Sequence, residues 1–236
     1  MSSEKQTIVI TGTSRGIGRN IAGYYLGLGH KVYGCSRSEA SVVHENYMHH
    51  CVDITDENQV RKWVHEVKSF SKKIDVLVCN AGLVVSALQM TMTSSKIVED
   101  YLKTSFAGTY YVCREFSKAM ILQKSGSIIA ISSIMTVLHE PGTSMYSSCK
   151  SAVEQLIKVM ARELAPHEIT CNAVGLSYVE TESSKAFGAD WQKRMLEKQT
   201  IKRPLTTDEI GDTILFFASG LSRCITGQVL YMGLVS

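Results

Sequence analysis

Tyr146 and Lys150 stand four residues apart in the stretch TSMYSSCKSAVEQL, residues 143–156, a spacing that brings two side chains to one face of a helix. A free phenol, with a pKa of about 10, is a reluctant acid. An ammonium one helical turn away stabilises the phenolate and lowers that pKa. Such a pair could protonate an oxygen that gains negative charge, as a ketone oxygen does when hydride adds to its carbon. The spacing carries little weight alone, since ten tyrosines in 236 residues make one chance pair unsurprising. Taken singly, Tyr146 reads as an amphipathic helix residue and Lys150 as a solvated charge. The chemistry therefore needs a source of hydride and a hydroxyl that holds the ketone.

The source of hydride has its own signature. The β-branched run TIVIT (7–11) leads straight into TGTSRGIG, so Gly12, Gly16 and Gly18 occupy a turn that enters a helix. Glycines there allow positive φ and let backbone N–H groups approach a pyrophosphate, which the helix amino terminus favours electrostatically. Three residues separate the first two glycines, where the GxGxxG fingerprint has one. After the second strand, a carboxylate would bind the ribose 2′-hydroxyl and repel a 2′-phosphate, whereas an arginine does the reverse. This chain has Ser36 then Arg37 in YGCSRSE, and Arg15 in the glycine loop can approach the same phosphate with its planar fork. The cofactor expected is NADP(H).

These residues need a frame. Strand-like runs at 7–11, 31–36, 47–52, 74–79, 127–132, 169–174 and 228–232 alternate with helix-sized segments, the rhythm of a Rossmann-type, doubly wound, parallel seven-stranded α/β sheet. Helical spacing of apolar residues marks 60–69, 98–122 and the segment after Tyr146, where Cys149, Val153, Leu156, Val159, Met160 and Leu164 form a stripe. Pro166 ends that helix, and Thr206 with Glu209 forms a capping box. No repeat or linker interrupts the chain, so residues 1–236 are expected to be a single domain. The polar stretch 178–200 follows a strand end, where ligands of such sheets lie, and is the expected substrate lid.

Composition narrows the function further. A net charge of +3 with scattered lysines and arginines offers no track for a nucleic acid. No apolar run approaches a membrane span and no leader-like segment opens the chain, so a cytoplasmic protein is expected. Seven cysteines without CxxC spacing suggest buried thiols rather than disulfides or zinc. His49 and His50 lack partners at metal-ligand spacing and are expected at the surface, with no metal bound.

The glycine spacing resembles the TGxxxGxG of the short-chain dehydrogenase/reductase family, and the resemblance extends over nearly the whole chain. HHCVDITD resembles its acidic motif after the third strand, implying Asp53 and Ile54 near the adenine. CNAG resembles its NNAG, implying Asn80, Ala81 and Gly82 at the cofactor, with Ser14, Ile17, Val179 and Thr181 among the other cofactor contacts. ISS resembles the segment ending in the catalytic serine, here Ser133, which holds the substrate oxygen. Tyr146 then follows thirteen residues later and Lys150 four beyond, as in the 3-oxoacyl-[acyl carrier protein] reductase branch. In the family the lysine also binds the nicotinamide ribose. The resemblance implies an NADP(H)-dependent reductase of a small-molecule or carrier-bound carbonyl, a 3-oxoacyl thioester or related ketone, in a homo-oligomeric dimer or tetramer. Three positions depart from the pattern. The asparagine that helps hold a proton-relay water is replaced by Ser105, Pro-Gly after the sixth strand becomes Leu176-Ser177 with Gly175 as a substitute for the turn, and the terminal Asp-Gly-Gly reads YMGLVS. The missing asparagine raises an alternative, an NADP(H)-binding scaffold or regulatory subunit with impaired turnover.

Overall fold

The computed structural model describes residues 5–84, 88–185 and 187–234. The β-branched runs form strands β1 (Thr7–Thr11), β2 (Lys31–Ser36), β3 (Tyr47–Cys51), β4 (Val76–Cys79), β5 (Gly126–Ser133), β6 (Ile169–Leu176) and β7 (Val229–Tyr231). They pair in one parallel sheet of order β3-β2-β1-β4-β5-β6-β7. The direction of strand addition reverses between β1 and β4, which opens a crevice at their carboxyl ends. Every residue of β1 and β4 is buried, as expected of strands covered by helices on both faces.

The helices are α1 (Gly16–Gly27), α2 (Glu57–Phe70), α3 (Ser95–Tyr101), α4 (Thr109–Gln123), α5 (Met135–Leu138), α6 (Ser144–Leu164), α7 (Glu182–Lys185), α8 (Ala189–Lys198) and α9 (Thr207–Ala218). Ile21 and Tyr25 of α1 pack with Ile214 and Phe217 of α9 on one sheet face. Trp63 of α2, Phe116 of α4 and Ile157 of α6 fill the other, with the Trp63 and Phe116 rings edge to face at 4.9 Å. Cys35, Cys79, Cys113, Cys149 and Cys171 are buried thiols within this frame, while Cys51 and Cys224 are exposed. The capping box at Thr206 and Glu209 is formed in both directions.

Four details differ from the sequence pattern. The helix expected over 98–122 is three pieces, because a π-helical turn, Leu102–Gly108, joins α3 to α4. It passes so close to Ile54 that a Cβ on Gly108 would lie 2.8 Å from the isoleucine side chain. On α6 the buried stripe runs through Val153, Ile157, Met160 and Leu164, leaving Val159 44% exposed. His49 and His50 are half-buried rather than exposed. His49 bridges the Tyr47 hydroxyl (2.8 Å) and Ser36 Oγ (3.1 Å), and His50 lies beside Tyr33 and Trp63, where burial lowers its pKa. Finally, Gly175 makes no turn. It lies within β6, where a Cβ would strike the Tyr231 ring at 2.3 Å.

Candidate active site

The crevice is a cleft of about 700 Å³, and the local sequence explains its floor. Asp-free and without a side-chain cap, the first turn of α1 leaves its amino-terminal N–H groups directed at the loop of Gly12 and Gly16, whose φ values are +78° and +58°. Those N–H groups have no partner inside the helix. A side chain is impossible in the tightest part of this loop: a Cβ on Gly18 would lie 2.2 Å from Gly12 O and 2.4 Å from Asn80 Nδ2. Asn80 donates from Nδ2 to Thr11 O (2.9 Å), while the backbone N–H groups of Asn80 and Ala81 both donate to Thr11 Oγ1 (3.0 and 2.9 Å). Thr11, the first residue of the TGxxxGxG match, thus ties the glycine loop to the end of β4.

Ser14, Arg15, Ile17, Arg37, Asp53, Ile54 and Gly82 line the same cleft. Arg15 and Arg37 form no ion pair among the described residues, and His49 braces Ser36 beneath Arg37. Gly18 is an exception to the expected lining, because it lies behind the loop as a packing residue. Unpaired N–H groups at a long helix amino terminus, glycines that admit no Cβ and two free guanidiniums together fit a phosphorylated dinucleotide.

The chemical groups meet further along the cleft. β5 pairs with β6 through its last residue, Ser133 opposite Leu176, and this carries Ser133 to the rim of the sheet. Ser133 Oγ accepts from the Met135 N–H (3.2 Å) and is hydrogen-bonded to Tyr146 in the first turn of α6. Burial pushes the Tyr146 phenol above its ordinary value, and the Ser133 bond partly opposes the rise. Lys150 follows one turn later and donates from Nζ to Ile131 O at 2.6 Å. Burial lowers its pKa to about 8, against the neighbouring Cys149, Cys79 and Glu154. The pKa of Tyr146 thus moves opposite to the lowering expected from Lys150, because desolvation of the buried phenol is the largest effect on it.

Ser105 also lies outside the cleft lining. It is buried in the π-helical turn, where Oγ accepts from the Leu83 N–H at 3.0 Å. It still approaches the lysine: a Cβ on Gly82 would be 3.5 Å from Lys150 Nζ and 3.7 Å from Ser105 Oγ. Glu154, one turn beyond Lys150, is a second residue the sequence reading missed. Its buried carboxylate accepts from Ser132 Oγ (2.5 Å), Thr136 Oγ1 (3.1 Å) and the Tyr231 hydroxyl (3.1 Å). It therefore clamps both flanks of Ser133, and a glutamate in phase with an apolar helical stripe is the signal that marks it.

Residues of the 178–200 segment line the far end of the cleft. Tyr178 and Met195 are buried against Ile134 and Met135, and Phe187 stacks on Trp191 at 4.6 Å with 25° between planes. Val179 bridges to Leu205. Thr181 accepts the Ser184 N–H at 3.1 Å, and both threonine and valine face the cleft.

This arrangement has relatives. A sequence profile described as Enoyl-(Acyl carrier protein) reductase matches residues 12–233. The chain is 32% identical over 237 residues to the 3-oxoacyl-[acyl-carrier-protein] reductase FabG of Staphylococcus epidermidis, covering 96% of this chain and 97% of that one. It belongs to the short-chain dehydrogenase/reductase family. The FabG of Salmonella typhimurium is 28% identical, with 98% and 97% of the two chains covered. Among solved structures, ElxO with NADP bound superposes with a TM-score of 0.89 at 29% identity, over 97% of both chains. A tyrosine-to-phenylalanine variant of ElxO with NADPH bound gives 0.88 at 28%, again over 97% of both chains. As a short-chain dehydrogenase/reductase with the Rossmann-type sheet, the chain is assigned to the oxidoreductases.

Proposed function

We propose that the protein is an NADPH-dependent reductase of an uncharged carbonyl compound, a 3-oxoacyl thioester or related ketone, with Tyr146 as the acid. One observation carries the reading: Ser133, Tyr146 and Lys150 converge between a glycine cradle suited to a dinucleotide and an aromatic pocket, in a single cleft. NADPH supplies the hydride that the carbonyl carbon receives. Arg15 and Arg37 would hold its 2′-phosphate, the α1 amino terminus its pyrophosphate, and Lys150 its nicotinamide ribose. Ser133 donates to the carbonyl oxygen, and Tyr146 gives that oxygen its proton as negative charge develops, so ketone, hydride and proton become the alcohol.

The shifts suit this direction. A phenol raised by burial remains protonated at neutral pH, and an ammonium with a pKa of about 8 remains charged there and can return a proton. Ser105, behind Gly82, stands where a relay would leave Lys150. The FabG relatives and the NADP-bound ElxO support both substrate class and cofactor.

The scaffold alternative rests on Ser105, whose hydroxyl already accepts a backbone N–H. NADPH absorbance followed with a panel of 3-oxoacyl thioesters, ketones and quinones separates the two. Turnover that disappears in Tyr146→Phe is expected. Tight NADPH binding with no turnover on any member would favour the scaffold.

A further inference from the structure

The charges along the cleft are distributed unevenly. Among the described residues four charged side chains line it, Arg15, Arg37, Asp53 and Lys150, and all belong to the glycine loop, the ends of β2 and β3, or the catalytic helix. None lies at the lid end. Of the charges around that end, Glu180 pairs with Lys185 at 2.9 Å and Glu140 with Lys198, and none of these four lines the cleft. The lid end instead presents the Phe187–Trp191 stack, the Tyr178 ring edge-on to Trp191 at 6.2 Å, and Met195.

A carboxylate or phosphate entering this end would lose its water and meet no cation, which strongly disfavours binding. A flat apolar group would instead replace water against these aromatic side chains. We infer that the pocket selects a neutral ketone bearing an aromatic or bulky apolar group beside the reacting carbonyl, and that Trp191 is the residue that determines this preference. Free 3-oxo acids are excluded, and the same acids are admitted once an ester or thioester masks the charge. The inference rests on the carbonyl-reductase reading for the reaction but not for the binding, so the two can fail separately.

Trp191 reports its own occupancy. Of two tryptophans, the other, Trp63, is 1% exposed in the core beneath the sheet, so quenching by an added ligand follows Trp191. The native protein with oxidised NADP is titrated with ethyl benzoylacetate, ethyl acetoacetate and free benzoylacetate, with calorimetry for variants lacking the indole. The aromatic ester is expected to bind at least about tenfold more tightly than the aliphatic ester and at least roughly 100-fold more tightly than the acid. Trp191→Ala should abolish the aromatic preference and Trp191→Phe should retain most of it, with NADP affinity unchanged in both. An acid that binds within about threefold of its ester, no binding of either ester, or an aromatic preference that survives Trp191→Ala overturns the inference. Selective binding followed by no reduction with NADPH would leave the inference standing and overturn the reductase reading.

Discussion

At the cofactor end of the cleft one added methyl group would strike backbone, 2.2 Å from Gly12 O if placed on Gly18. At the lid end the walls are the tips of Phe187, Trp191 and Met195, which substitution can reshape without moving the chain. The polar groups differ in the same way. The side chains of Asn80 and Thr11 each bond the backbone around the other, whereas the hydroxyls of Ser177 and Tyr178 are buried with no hydrogen-bond partner among the described residues. An unanswered buried hydroxyl lowers stability, and such groups concentrate where function rather than folding sets the residue. One end is therefore specified by backbone geometry, and the other by side chains.

Gly18→Ala tests that contrast most severely. NADPH affinity should fall at least roughly 100-fold, with the far-ultraviolet dichroism kept, while Trp191→Ala should leave it within about twofold. A Gly18→Ala protein that binds NADPH normally would break the contrast. Arg37→Asp sharpens it within the cofactor end: NADPH dissociation constants should rise by roughly 10–100-fold, with those for NADH nearly unchanged. Equal losses for both would remove the arginine from the 2′-phosphate site.

Lys150 joins the two ends, and its burial has a thermodynamic sign. Its folded pKa of about 8 lies below the ordinary 10.5, so the unfolded chain holds more protons between those values and stability rises with pH across that window. The burial cost is complete below pH 8 and fades towards 10.5. Lys150→Met should therefore be more stable than the native chain at pH 7, by roughly 1–3 kcal/mol, with the gain shrinking towards pH 10.5 and catalysis lost throughout. Thermal melts of both proteins across that range would show it, and a constant difference would contradict a buried, charged Lys150. The smallest change expected is for Ser105→Asn, which should raise turnover by about threefold without altering the NADPH affinity. No change would mean that the relay does not limit the rate.

The contrast also explains what could be read from the sequence. Gly12, Gly16 and Asn80 were legible as parts of the loop because each answers a demand of the backbone, and such demands fix residue type and spacing, while Arg37 was legible from its place after β2, which puts it on the cleft wall. Strand runs were legible for the same reason: both faces of a parallel sheet are buried. Residues whose part depends on a partner distant in sequence were not. His49 reads as a polar surface residue until β2 and β3 pair and place it under Ser36. Gly175 reads as a turn until Tyr231 needs its space. The π-helical turn gives no periodic sign, since Gly108 is recognisable only from Ile54. Tyr146 was legible as a candidate, but the direction of its pKa shift was not, because the burial that raises it exists only once α6 has docked on β5 and β6.

The decisive measurement follows the hydride and the proton together. NADPH deuterated at its transferable position is mixed with a 3-oxoacyl thioester and either native protein or Tyr146→Phe, and the alcohol is examined by mass spectrometry. The native protein should yield an alcohol with deuterium on the carbinol carbon. Tyr146→Phe should bind NADPH with the same affinity yet form that product some 10²–10⁴-fold more slowly. Deuterium transfer at the native rate without the Tyr146 hydroxyl would contradict its role as the acid.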